Sequence, residues 1–239
     1  MEERNAIIDS TIEEFTTGIP PEDPMTIAGP IRVAIDSCFS HNSVAEILAA
    51  LEAEAKAGSA ASTWAKSTLE TLHQRSPTSV YVTLRLLRLG KRWSIGEAFQ
   101  REYVLAGKFM AHPDFTEGVT ARLINKPATT PKWSPASLAD MTDEKVDEFF
   151  KMEGLERLPL LNPSAEHEYK DYPYAHLALP READIERVVR RRGQTRGEVV
   201  RHFEHQRDGK MGVREKVLEV LQRKTTVNEA KQCAWIAEP

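Results

Sequence analysis

What most constrains this chain is the regular recurrence of helix-start signals through its first half. Ser43-Val-Ala-Glu46 sets a hydroxyl three residues ahead of a carboxylate, just before Ile47, Leu48 and Leu51. At that spacing the serine oxygen accepts a first-turn N–H, and the glutamate reaches back to the serine's own N–H. Ser94-Ile-Gly-Glu97 repeats the device before Phe99, Tyr103, Ala106 and Met110, and Asp114-Phe-Thr-Glu117 has the same spacing before Val119, Ala121 and Leu123. Ser76-Pro77 sets a cap before a first-turn proline, whose missing N–H costs nothing there. It opens Val80, Leu84 and Leu87, with Gly90 as the stop. Gly29-Pro30 begins another helix with Ile31, Ile35 and Cys38 facing inward. Nothing from 30 to 124 alternates with the period of two that strands require. The expected fold class is mainly α.

Outside that stretch a first helix is expected over about 5–16, carrying Ile8, Ile12 and Phe15 on one stripe, followed by a proline-rich connector at 18–24. Trp64, Leu69 and Leu72 mark a helix. Residues 125–135 read as loop, and Val146, Phe149 and Phe150 as the apolar side of a short helix. From 154 to 180 the chain is irregular and aromatic, and helices return over about 182–191, 196–207 and 213–224. The expected organisation is a helical part over 1–150, an irregular aromatic and proline-rich segment over 151–180, and a basic helical extension over 181–239.

Charge separates that extension from the rest. Residues 181–239 hold 14 Lys/Arg against ten Asp/Glu, a net of +4, which leaves −8 for residues 1–180 of a chain whose total is −4. An overall acidic balance argues against a dedicated nucleic-acid binder. No apolar run approaches the roughly 20 residues that span a bilayer. Met1-Glu-Glu-Arg4 has neither the apolar run nor the Arg/Ser-rich character of a targeting segment. Cys38 and Cys233 share no ligand spacing, so two unpaired thiols in a reducing compartment are expected. The chain has only 12 glycines among 239 residues. That is below the roughly 7% average, and neither a dinucleotide fingerprint nor a phosphate loop is present.

Few residues point to chemistry. His202-Phe-Glu-His205 sets two imidazoles on one helix face without a third ligand, and Glu166-His167-Glu168 is a similar group in a loop; no metal and no cofactor is expected. Arg190-Arg-Arg192 with Arg196 is the one basic cluster, readable as a solvated face or as a polyanion contact. Lys126, Lys132 and Trp133 share a proline-stiffened loop, where a flat indole with two ammonium groups could stack an adenine and meet phosphates, or the tryptophan could simply anchor the loop.

Several stretches resemble the 3-hydroxyisobutyryl-CoA hydrolase family of the crotonase superfamily. They are Ile35-Asp-Ser-Cys-Phe39, Ser76-Pro-Thr-Ser79, Asp114-Phe-Thr-Glu-Gly-Val119 and Pro131-Lys-Trp133, in family order over roughly residues 1–150. The 154–190 stretch, with Tyr172-Pro-Tyr-Ala-His176 and Leu179-Pro180, resembles fungal members, some of which serve in the mitochondrial small ribosomal subunit. The resemblance implies CoA thioester hydrolysis in valine breakdown, in mitochondria. It also implies that the catalytic groups lie in a glycine-rich α/β spiral core preceding this segment, so no catalytic residue is carried over. On that basis the chain is expected to be the helical C-terminal part of such a hydrolase, without the core and inactive alone. It would meet acyl-CoA only through the parent protein, with Lys126, Lys132 and Trp133 near the CoA adenine and phosphates. The alternative is a mitochondrial small-ribosomal-subunit protein whose basic tail contacts ribosomal RNA, and a third reading is a free-standing helical adaptor. An apolar surface is expected where the core would dock.

Overall fold

A computed structural model describes the chain except for residues 1, 17, 19–24, 153–156, 162–163, 165–167, 192 and 237–239. Most of the 18–24 connector, Glu166, His167 and Arg192 therefore lie outside the described residues. In order, the α-helices are α1 Glu2–Glu13, α2 Gly29–Cys38, α3 Val44–Lys56, α4 Ser62–Gln74, α5 Pro77–Gly90, α6 Ile95–Ala111, α7 Pro113–Val119, α8 Asp143–Phe150, α9 Glu182–Val189, α10 Arg196–Gln206 and α11 Val213–Lys224. A π-helical turn, Thr120–Ile124, continues α7. Strands β1 (Thr225–Val227) and β2 (Cys233–Trp235) form an antiparallel pair with Thr226 opposite Ala234. The mainly α expectation holds. The chain divides into two units, residues 34–171 and residues 1–33 with 172–239.

In the 34–171 unit the local signals act as expected. Ser43 accepts the Glu46 N–H at 3.2 Å and the Glu46 carboxylate accepts the Ser43 N–H at 3.3 Å, so the box that opens α3 is complete. Ser94 and Glu97 do the same for α6. Ser76 caps α5 with Pro77 in its first turn. Helices α3 and α4 bury Cys38, Ile47, Leu51 and Ala65 beneath Phe39, Trp64 and Leu72. A second cluster joins α5, α6 and α8 through Val82, Leu105, Val146 and Phe149, with the Phe109 ring tilted against Phe149 at 4.8 Å between centroids. Polar ties hold α8 in place. Arg85 bridges to Asp143 at 2.6 Å and to Asp147, while the Lys108 ammonium donates to the Glu148 and Lys151 carbonyls at 2.6 Å each. A cation at the carbonyl end of a helix answers both its unpaired acceptors and its dipole. Burial, and secondarily Glu54, raises the Cys38 thiol pKa above its ordinary value.

In the other unit α9, α10, α11 and the hairpin bury Ile185, Val199, Phe203, Val217 and Leu221. Arg223 is only 2% exposed and sits between Glu219 (2.9 Å) and Glu182 (2.6 Å). Burial alone would lower its pKa, but the hydrogen bonds it donates to Glu219 and Glu182 raise it well above the usual arginine value, so the guanidinium stays charged. Helix α1 is fastened by its polar side, Asp9 pairing with Lys210 and Glu13 accepting the Met211 N–H at 2.6 Å. Ile8 and Ile12 of this helix, and Phe15 just beyond it, are exposed rather than buried.

Candidate binding cleft

Helices α3 to α7 of the 34–171 unit leave an open cleft of about 660 Å³. Its lining includes the apolar Val44, Ile47, Leu72, Leu84 and Phe109 and the polar or aromatic Arg75, His112, Asp114, Arg122 and Trp133. At the cleft, α7 starts differently from the sequence expectation. Asp114 is not the N-cap of α7. His112 is, its Nδ1 accepting the Asp114 N–H at 3.2 Å, and Pro113 occupies the first position. Asp114 therefore falls inside the first turn, where it is 8% exposed.

That carboxylate ties three segments together. Oδ2 accepts the Ser76 hydroxyl at 2.5 Å, while the same serine oxygen accepts the Ser79 N–H at 3.2 Å as the cap of α5. Oδ1 accepts the Ser134 N–H at 2.8 Å. Glu117, one turn on, accepts the Lys132 N–H at 2.7 Å. The Asp-x-x-Glu spacing thus serves the Pro131–Pro135 loop instead of its own helix. The Trp133 indole N–H donates to the Gln74 carbonyl at 3.1 Å, and its ring rests on Gly118, where a Cβ would lie 3.2 Å from the ring.

Of the three residues expected near a CoA, Lys132 and Trp133 are neighbours on this clamped loop, Trp133 half-buried and Lys132 exposed. Lys126 is exposed on the preceding stretch, which is closed separately by Asn125 N–H to the Thr120 carbonyl (2.9 Å) and Thr129 N–H to the Ala121 carbonyl (2.8 Å). The contacts of Trp133 with Gln74 and Gly118 are of the kind a loop anchor makes.

The Ser76, Asp114 and His112 side chains are assembled in the wrong order for nucleophilic catalysis. The carboxylate lies next to the serine, and His112 Nδ1 stands 3.9 Å from Asp114 Oδ2 while accepting a backbone N–H. Among the described residues no imidazole is hydrogen-bonded to the Ser76 hydroxyl, which donates to the Asp114 carboxylate instead. Elsewhere, His202 and His205 are exposed on α10, and among the described residues no three His, Cys, Asp or Glu side chains gather in a metal-like group. The basic cluster divides. Arg196 turns inward and donates to the Leu221 and Thr225 carbonyls at 3.3 Å, Arg190 pairs with Glu186 at 2.6 Å, and Arg191 is exposed.

Residues 1–150 match the enoyl-CoA hydratase/isomerase family. The small ribosomal subunit protein mS47 of Neurospora crassa is 44% identical over 228 residues, covering 93% of this chain and 44% of its own length. The mS47 protein of Schizosaccharomyces pombe is 35% identical over 179 residues, 70% of this chain and 39% of that protein. The mitochondrial 3-hydroxyisobutyryl-CoA hydrolase of Rattus norvegicus is 41% identical over 120 residues, 50% of this chain and 29% of that enzyme. The chain spans less than half the length of each of these relatives.

Proposed function

The chain belongs to the enoyl-CoA hydratase/isomerase family, and we propose that within it the protein serves as a structural component of the mitochondrial small ribosomal subunit. The observation that carries this reading is the extent of the matches. Similarity to the rat hydrolase accounts for 50% of the chain, whereas similarity to the Neurospora ribosomal protein accounts for 93% and so takes in most of the α9–α11 unit. The motifs of residues 1–150 favoured the hydrolase; the remainder of the chain reverses that order. The cleft agrees with a scaffold role, since its buried carboxylate holds a loop in place. In this reading the exposed Arg187, Arg190 and Arg191 at the end of α9, with Arg201 on α10, meet RNA phosphates.

The second reading is the hydrolase one, favoured by 41% identity to the rat enzyme over 120 residues. There the segment would enclose an acyl-CoA beside a crotonase core, with Lys126, Lys132 and Trp133 at the CoA end. One experiment separates the two. Mitochondrial extract containing the tagged protein is run on a sucrose gradient, and each fraction is assayed for tag and for thiol release from 3-hydroxyisobutyryl-CoA. The ribosomal reading expects the tag with the small subunit and no thioesterase peak following it. Tag at the top of the gradient, tracking thioesterase activity, would establish the hydrolase reading instead.

A further inference from the structure

We propose that residues 181–236 form a winged helix-turn-helix module whose RNA contact runs along the wing and the start of α10 rather than along α11. The inference rests on the ribosomal reading and names the surface that reading needs. Topology carries its first part. After α9 the chain runs beside β2, where Thr195 bridges Gln232 and the Cys233 N–H donates to the Gln194 carbonyl at 2.8 Å. Helices α10 and α11 follow as the helix-turn-helix pair, and β1 and β2 as the wing hairpin. Strand β2 thus lies between β1 and the Gln194-Thr195 segment. One core serves all of it, with Val188, Val200, Phe203, Val220 and Cys233 buried together. The module lies outside residues 1–150, the part that matches the enoyl-CoA hydratase/isomerase family, so covering that family's core does not explain it.

In such a module α11 is the helix that enters a groove. Here acids stand at its leading end. Asp9 of α1 pairs with Lys210, and Glu13 accepts the Met211 N–H at 2.6 Å, both in the turn that precedes α11. Along α11 the exposed residues are Arg214, Glu215 and Gln222, and Arg214 pairs with Glu204 at 3.2 Å. A polyanion finds no surplus of positive charge there. The wing edge differs. The Thr195–Gln232 bridge sets Lys231 beside the first turn of α10. Lys231, Arg191 and Arg201 are exposed, and none forms an ion pair among the described residues. Glu198 and Glu204, each three residues from Arg201, are committed to Thr195 and to Arg214. The Asn228 side chain closes the wing on Gln232 at 2.8 and 3.1 Å, so Lys231 sits on a fixed turn. Its φ of 60° is left-handed, a conformation that suits glycine and costs a residue with a Cβ. Strain held at an exposed lysine fits a side chain that is used. Phosphates are the group these three cations would meet.

The test uses the full chain and a labelled RNA hairpin, read by fluorescence anisotropy over a salt series. Arg191→Glu/Lys231→Glu is expected to weaken binding about tenfold and to flatten the salt slope by about 2. Arg214→Glu/Gln222→Glu on α11 should leave affinity within about twofold. Lys231→Gly removes the charge and the left-handed cost together, so the melting temperature should hold or rise while binding weakens. Glu229→Lys, exposed on the wing, should tighten binding. Loss confined to the α11 variant, equal loss in both double variants, or no RNA binding by the unaltered chain would each overturn the inference. Sedimentation of the unaltered protein keeps the two claims apart. Protein in the small subunit, with the wing-edge variant binding RNA normally, refutes the wing edge alone. Protein at the top of the gradient, with RNA binding still dependent on the wing edge, refutes the ribosomal reading alone.

Discussion

Replacing Asp114 with alanine removes one side chain and releases two segments. The carboxylate takes the Ser76 hydroxyl at 2.5 Å and the Ser134 N–H at 2.8 Å in a site 8% exposed, so water does not readily replace it. Hydrogen bonds to charged groups contribute about 1.5–3 kcal/mol each. The lower end for both gives about 3 kcal/mol, and loss of an acid from the first turn of α7 adds about 0.5 kcal/mol. For a unit of this size the combined loss of about 3.5 kcal/mol lowers the melting temperature by about 10 °C. Asp114→Asn keeps one neutral acceptor but offers an amide where Ser76 donated, so about half the loss is expected. Thermal denaturation followed by circular dichroism reads the magnitude, and hydrogen exchange reads the cause, with the Ser134 amide accelerating more than the Lys132 amide that Glu117 holds. A shift below about 3 °C for the alanine variant, or unchanged protection at Ser134, would refute the assignment of Asp114 as the tie.

Arg223→Ala removes the buried cation that Glu219 and Glu182 share, leaving Glu182 with Lys224 at 3.6 Å, and about 3 kcal/mol of destabilisation is expected in urea unfolding; Arg223→Met should cost as much, since the loss is of charge rather than volume. The capping carboxyls are held below their ordinary pKa, Glu46 by the Ser43 hydroxyl first, Glu97 and Glu198 by the Ser94 and Thr195 backbone N–H groups first. Because the folded values are depressed, this stabilisation is present above the unfolded value of about 4.3 and is lost as pH falls through the folded values. Urea midpoints should therefore be flat from neutral pH down to about 5 and then fall, and the fall should be shallower in a Glu46→Gln/Glu97→Gln/Glu198→Gln variant. Gly118→Ala places a methyl 3.2 Å from the Trp133 ring; a changed Trp133 emission with the fold retained is the expected result, and an unchanged spectrum would contradict the packing.

The helices were legible because their instructions are local. Ser43 with Glu46, Ser94 with Glu97 and Ser76 with Pro77 each act within one turn, and each opens a helix where the spacing placed it. Asp114 with Glu117 has the same spacing and a different fate, because His112 and Pro113 begin the helix and the donors for both carboxylates come from Ser76, Lys132 and Ser134. No local pattern announces partners 20 or 38 residues away. The hairpin of Thr225–Val227 with Cys233–Trp235 was missed because three-residue strands are too short to show alternation; Thr225-Thr-Val227, β-branched after a helix, was the available signal. Arg196 sits among arginines in sequence, yet its length lets it reach back to the Leu221 and Thr225 carbonyls, which charge counting does not foresee. For the cleft, Trp133 was legible as a residue of interest and as a loop anchor, while Arg75 and Arg122 carried no pattern at all.

The most direct test of the ribosomal assignment is the amount of this protein in purified mitochondrial small subunits, measured by quantitative mass spectrometry after a high-salt wash. Equimolar presence with the other subunit proteins is the predicted result. Substoichiometric traces that the wash removes, with the bulk of the protein in the soluble fraction, would contradict the assignment.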